Sequence, residues 1–361
     1  MEQAATDVPP RPAADPPRSR VAAFDVARGV AVLGMILIHV HRHWADPGPW
    51  PVALTTVISV LGGPFAAPVF MLLMGASVAW SGRTTLRLMA GRGLLLLAGG
   101  LALNLGRGTI PFLLGQAAGV IGPGGVGIFT PWSLLVTVDV LQLAGMSLLV
   151  VAVLRPVVRH DAGWIALAVL VAVAAPFLRD LRTGVLPLDG LLGLLWATGP
   201  SVYYPLFPWG AFPLLGVALG RSVRADPDGP ALRRWGLAGL VMAIAGGVIL
   251  GPSVITLDER GYWALAPALA GMLAGVALAW TWACRGIVRF AGSTAPVALM
   301  ARWGRRVTRI YIIHWLIVAW GVGAVGYLAL PFWPSVLAMV LVVAMTHVLA
   351  VRLAPGRRAA A

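Results

Sequence analysis

Runs of about twenty mostly apolar residues recur along almost the whole chain, and that recurrence leaves few folds open. A window of about 19 residues places them near 22–42, 52–80, 86–105, 130–154, 163–178, 202–220, 235–254, 262–283, 307–328 and 332–352. Inside a bilayer only helices and closed barrels satisfy their own backbone polar groups. The chain is therefore predicted to be all-α, a polytopic membrane helix bundle of about ten transmembrane helices. Composition agrees, since 59% of the 361 residues are hydrophobic and 11% charged, about half the charge of a soluble domain. The second run is long enough to include a turn, and Pro64 and Pro68 should bend it.

Residues 1–20, rich in Pro and Ala, read as a disordered cytoplasmic tail, 21–354 as one transmembrane domain, and 355–361 as a C-terminal tail. The first apolar run holds embedded charges and no small-residue cleavage site, so it is expected to be a retained helix, not a signal peptide. The single cysteine, Cys284, excludes an internal disulfide. Lysine is absent. With the N-terminus inside, 21 of the 27 arginines fall on cytoplasmic segments and five on outer ones. This bias predicts both termini cytoplasmic, an even number of spans, and residence in the cytoplasmic (inner or plasma) membrane. The net charge of +14 does not indicate nucleic acid, because the arginines are dispersed among apolar runs.

The first run, FDVARGVAVLGMILIHVHRHW at 24–44, carries groups that lipid rejects: Asp25, Arg28 and His39. Eleven helical steps separate Arg28 from His39, about three turns, so both share one face roughly 16 Å apart, with Asp25 near the same stripe. Val32 and Met35 lie between. Such a stripe suggests a polar track through a bundle. His39 is the candidate general base, and Arg28 either anchors the helix start with Asp25 or holds an anion. His41 and His43 stand nearby, and 39 and 43 share a face while 41 points away. No Cys or carboxylate motif accompanies them, so no metal is expected.

Other candidates are scattered. Asp139 and Gln142 lie one turn apart in the fourth run, with Asp139 expected well inside it and needing a partner. Asn104 and Arg107 are expected to end the third run, as helix caps or as acceptor ligands. Residues 106–129 and 179–201 form outer segments, the first a candidate re-entrant stretch and the second a candidate lid. YYPLFPWGAFPLLGVALGR at 203–221 offers Tyr204 and Trp209 to a cavity, while Gly216 and Gly220 suggest close helix packing. RRVTRIYIIHW at 305–315 places His314 inside a span. Arg305, Arg306 and Arg309, with Arg83, are cytoplasmic anchors or ligands for the phosphates of a nucleotide-containing donor. GPGGVG at 122–127 lacks the Lys-Ser/Thr of a phosphate loop.

FDVARGVAVLGMILIHV resembles the opening LDxxRGxAxxxMxxxH of the transmembrane acyltransferase superfamily. GPFAAPVFMLLMGASVAW (63–80) and PLFPWGAFPLLGVALGR (205–221) look like segments of its heparan-α-glucosaminide N-acetyltransferase catalytic-domain branch. RRVTRIYIIHWLIV is similar to the late xSLxxYxxHxxL helix, with Thr308, Tyr311 and His314 in register. The resemblance implies ten or eleven helices that move an acyl group, typically from acetyl-CoA, to an acceptor across the membrane. Relatives in acyltransferase family 3 carry an Arg-ten residues-His pair, matched here by Arg28 and His39. In the human-type glucosaminide enzyme the active histidine lies in the loop before the second span. Here 44–51 contains none, which leaves His43 as an alternative to His39. The expected partners are membrane lipid, acyl-CoA and a sugar or glycolipid acceptor, with homo-oligomerisation left open. A rival reading is a proton- or anion-coupled transporter or flippase that uses the same polar track.

Overall fold

The computed structural model describes residues 21–80, 85–122, 129–196, 199, 201–227, 229–254 and 259–353. They form α1 (Ala22–Trp44), α2 (Val52–Gly62), α3 (Ala66–Trp80), α4 (Leu86–Asn104), α5 (Ile110–Ala117), α6 (Pro131–Leu135), α7 (Val140–Leu154), α8 (Asp161–Leu178) and α9 (Leu186–Leu195). Then follow α10 (Leu206–Trp209), α11 (Ala211–Ala225), α12 (Ala231–Leu250), α13 (Glu259–Ala264), α14 (Pro267–Ala291), α15 (Ala295–Gly304), α16 (Val307–Val325) and α17 (Phe332–Arg352). Among the described residues nine helical stretches are long and apolar enough to cross a membrane, and α7 is a shorter apolar helix beside them. The tails 1–20 and 355–361, Arg83 and most of GPGGVG lie outside the described residues.

Local chemistry explains the breaks. The second run turns at Gly63–Phe65, where Pro64 lacks an N–H to continue the ladder. The third run does not stop near 105, contrary to the expectation. It passes through a π-helical turn, Leu105–Thr109, into α5, and Ile110 N–H bonds back to the Leu105 carbonyl. Pro111 would clash with the Arg107 carbonyl in a regular α-helix, and the wider turn relieves that clash. Asn104 and Arg107 therefore sit inside a helix, not at its end.

The fourth run also departs from expectation. It breaks between α6 and α7, and Asp139 is the N-cap of α7, not a residue well inside a span. Its carboxylate accepts from Val140 N–H while Gln142 accepts from the Asp139 N–H, a reciprocal cap that satisfies the helix start. Residues 295–304, which fall between the predicted spans 262–283 and 307–328, form α15 and lie along α1.

Glycines set how closely the helices approach. A Cβ at Gly75, Gly216 or Gly220 would overlap backbone of the facing helix, so α3 and α11 touch main chain to main chain, as the Gly216–Gly220 spacing implied. The α1–α15 contact uses Gly29 and Gly304 in the same way. α1 and α11 are mostly buried, whereas α12 exposes Val241, Ile244, Val248 and Ile249 and α17 exposes Leu337, Val340 and Leu341, an apolar belt suited to lipid.

Candidate active site

Two polar clusters lie along α1. At its start Asp25 Oδ1 is 3.6 Å from Arg28 and Oδ2 is 3.7 Å from Arg305. Arg28 donates to the Leu73 carbonyl and to Ser77 Oγ of α3. Arg28 is thus tied to protein on both sides. Val32 and Met35, both buried, separate this cluster from the histidines, so the stripe is two clusters and not a continuous track.

The second cluster gathers the far half of α1, the π-turn, the start of α7 and the middle of α16. Asp139 Oδ2 accepts from Arg107 Nη2 at 2.6 Å and from Tyr311 Oη at 2.7 Å. Arg107 also donates to Asn104 Oδ1, and Asn104 Nδ2 donates to the Leu135 and Thr137 carbonyls, which fixes the link before α7. Both charges of the Arg107–Asp139 pair are about nine-tenths buried. A buried ion pair survives only when its remaining donors and acceptors are met. Here the carboxylate accepts three bonds, but Arg107 Nη1 and Gln142 Nε2 are buried donors without a partner among the described residues.

His39 Nδ1 lies 2.9 Å from His314 Nε2, with the rings stacked at 8° and centroids 5.2 Å apart. The tautomers follow from the neighbours. His314 Nδ1 is 3.0 Å from the Ile310 carbonyl, which can only accept, so Nδ1 carries the proton and Nε2 is the acceptor. His39 must then donate through Nδ1, leaving its Nε2 with a free lone pair. His43 Nδ1 donates to the His39 carbonyl at 2.9 Å by the same logic. Trp315 joins the two halves of the site: its ring is 4.0 Å from the His39 ring and 4.2 Å from the Arg107 guanidinium carbon. His314 is fully buried, whereas His39 and His43 are partly exposed.

The scaffold around these groups is tied by indole and main-chain bonds. Trp44 Nε1 donates to the Val318 carbonyl and Trp320 Nε1 to the Gly106 carbonyl, fixing α16 to both α1 and the π-turn. Leu328 and Leu330 N–H groups close the end of α1 on the His43 and Trp44 carbonyls. Tyr203 and Tyr204 N–H groups bond the Val138 carbonyl, which brings the 201–204 segment beside Asp139.

Of the residues chosen from sequence, the fold brings His39, His43, His314, Asp139, Gln142 and Asn104 together, with Tyr204 at their edge. His41 turns away onto Trp50, 4.5 Å between rings. Trp209 is fully buried among Tyr204, Phe212, Tyr262 and Trp263, and its Nε1 donates to the Trp263 carbonyl. Asp25, Arg28 and Arg305 form the separate cluster, Arg306 occupies the N-cap position of α16 without a side-chain cap bond, and Arg309 donates to the Ala350 carbonyl of α17. Arg107, Tyr311 and Trp315 complete the site, and the sequence signal for Tyr311 is its i, i+3 placement on the His314 face. Among the described residues no three His, Cys, Asp or Glu side chains converge as metal ligands.

Residues 20–246 match the family described as heparan-α-glucosaminide N-acetyltransferase, catalytic. That segment contains Arg28, His39, Arg107 and Asp139, while Tyr311 and His314 reach the site from beyond it. A search of curated proteins finds no match. With well over half of its length inside the match, this multi-pass membrane protein belongs to the heparan-α-glucosaminide N-acetyltransferase catalytic-domain family.

Proposed function

We propose that this protein transfers an acetyl group from acetyl-CoA to a hydroxyl or amine of a sugar or glycolipid, with His39 as general base. The observation that carries this reading is the His39–His314 imidazole pair, whose hydrogen bonding leaves the His39 Nε2 lone pair free, with Trp315 touching both the His39 ring and the Arg107 guanidinium. His39 Nε2 takes the proton of the acceptor O–H or N–H as that atom attacks the thioester carbonyl. Charge then develops on the carbonyl oxygen. Arg107 Nη1 and Gln142 Nε2, both buried donors without a partner among the described residues, are suited to receive it. The C–S bond breaks, the CoA sulfur leaves with the electron pair, and the proton held on His39 neutralises it. Asp139 and Tyr311 hold Arg107 in place, and His314 holds the His39 ring in its reactive tautomer.

In this reading the arginine bias places the α1 start and Arg305 on the cytoplasmic side, and the histidines toward the outer side of the cytoplasmic membrane. Acetyl-CoA enters from the cytoplasm, with Arg305, Arg306 and Arg309 near its route. Arg28, bonded to Leu73 and Ser77, sets the register of α1 against α3, and Asp25 ties Arg28 to Arg305. His43 is the alternative base.

The test is release of CoA thiol from acetyl-CoA by purified protein with a panel of amino sugars and glycolipids. Loss of general-base catalysis should lower the rate about 10²–10⁴-fold in His39→Ala, with His43→Ala far milder. No acceptor-dependent thiol release by a well-folded preparation would refute the reading. Flux of a solute into proteoliposomes without acetyl-CoA would support transport instead.

A further inference from the structure

A cavity of about 380 Å³ opens where α3, α7 and α11 end and α8 begins, within the size range of small-ligand pockets. It belongs to the α1-start end of the bundle, away from the histidines, because Val78 and Ala79 in its wall directly follow Ser77, the Arg28 partner. Its walls are Val78, Ala79, Val151 and Val217, and its polar lining is Arg155, Arg221, Arg224 and Trp164.

The polar lining consists of donors. Arg221 Nε donates to Asp161 Oδ1 at 2.7 Å and its Nη2 to the Arg159 carbonyl, and Arg224 Nη1 donates to the Ala79 carbonyl. Asp161 Oδ2 accepts from Ser222 Oγ, and among the described residues this carboxylate forms no ion pair with Arg155 or Arg224. Two donors have no partner among the described residues although both atoms are buried: Arg155 Nη1 and Trp164 Nε1, the latter on a residue with no exposed surface. Burial, then the nearby Arg224 and Arg221, pulls the Arg155 guanidinium below its usual range. Leaving a buried donor unmet costs about 1–3 kcal/mol, more when charged, so a site with two such donors is built for an acceptor that arrives from outside. That acceptor must be anionic, with several oxygens for the guanidinium forks, beside an apolar wall.

We infer that this pocket binds a phosphate group, carried by an anionic lipid headgroup or by the nucleotide end of a CoA donor. The second source rests on the acetyltransferase reading; the first does not. Neither Arg155 nor Trp164 contributes to the histidine site.

The experiment titrates purified wild type, Arg155→Gln and Trp164→Phe with free CoA, short-chain phosphatidylglycerol and the matching diacylglycerol, reading thermal stabilisation. Trp164→Phe removes only the indole donor, and it remains informative if the arginine variant misfolds. The expected result is an affinity at least about tenfold weaker in Arg155→Gln for one phosphate-bearing probe, with a smaller loss in Trp164→Phe. Weakening confined to CoA identifies the donor, and weakening confined to phosphatidylglycerol identifies the lipid. If neither variant weakens CoA or phosphatidylglycerol, or if diacylglycerol is weakened as much as the phosphate-bearing probes, the inference is overturned. Acetyl transfer measured in parallel separates the two ideas. Transfer by wild type with no variant effect on binding sinks the pocket alone. Phosphatidylglycerol binding that depends on Arg155 in a protein without transfer sinks the acetyltransferase reading alone.

Discussion

Replacing Asp139 by asparagine isolates one term in the energetics of the site. Asparagine is as good an N-cap as aspartate, so the start of α7 keeps its reciprocal cap with Gln142. What is lost is the countercharge for Arg107, whose side chain is 10% exposed. Removing one partner of a buried pair costs about 3–5 kcal/mol, because the other charge stays dry and unpaired. Asp139→Ala loses the cap as well and should cost about 1 kcal/mol more. The converse change, Arg107→Gln, leaves the carboxylate bonded to Tyr311 and Val140 N–H, and so should cost less than Asp139→Asn. In the double variant Asp139→Asn/Arg107→Gln neither charge remains. Its destabilisation should fall short of the sum of the single changes by about 2 kcal/mol, within the usual range for directly contacting pairs. Unfolding in mixed micelles of rising SDS fraction, followed by tryptophan fluorescence, gives the four values. Additivity within about 0.5 kcal/mol would refute the claim that these two charges support each other.

Further expectations concern the histidines and the helix contacts. His314→Ala removes the acceptor that fixes the His39 tautomer and should lower the acetyl-transfer rate about 10–100-fold, with His314→Gln recovering part of it through its amide oxygen. A near-normal rate in His314→Ala would show that the pair is packing only. Gly216→Val would drive a side chain into the Leu72 backbone and should abolish monodisperse protein on size exclusion, whereas Gly271→Ala meets open space and should leave the melting temperature within a few degrees. Equal behaviour of the two variants would disprove the close α3–α11 contact.

How much of this was legible from residue order depends on the range of the interaction concerned. The Asp25–Arg28 contact joins residues three apart on one helix, and helical spacing alone places them together. The Gly216–Gly220 pair marks a close helix contact for the same local reason, and the break near Pro64 follows from a missing N–H. The position of Asp139 was misjudged from sequence because hydropathy runs smoothly across α6 and α7, while the backbone breaks there to cap a helix with the only carboxylate of that run. Asn104 and Arg107 were misplaced for a related reason: a π-turn before Pro111 changes neither composition nor hydropathy.

The amino-acid order by itself determined that this chain is a polytopic helical membrane protein, which residues are too polar for lipid, and that its motifs resemble membrane acyltransferases. Length, hydropathy and 3.6-residue periodicity carry the first two, and the quoted motifs alone carry the resemblance; all are properties of single segments. Only the tertiary structure decided which polar residues meet. His39 and His314 are 275 positions apart, Asp139 and Tyr311 172, and Arg107 and Asp139 32. Many helix faces in this bundle offer similar small and apolar residues, so the pairing of α1 with α16, and of the π-turn with α7, is a choice among near-equivalent packings that leaves no periodic trace. That choice is made by the whole set of contacts at once. It is what turns scattered polar side chains into one site.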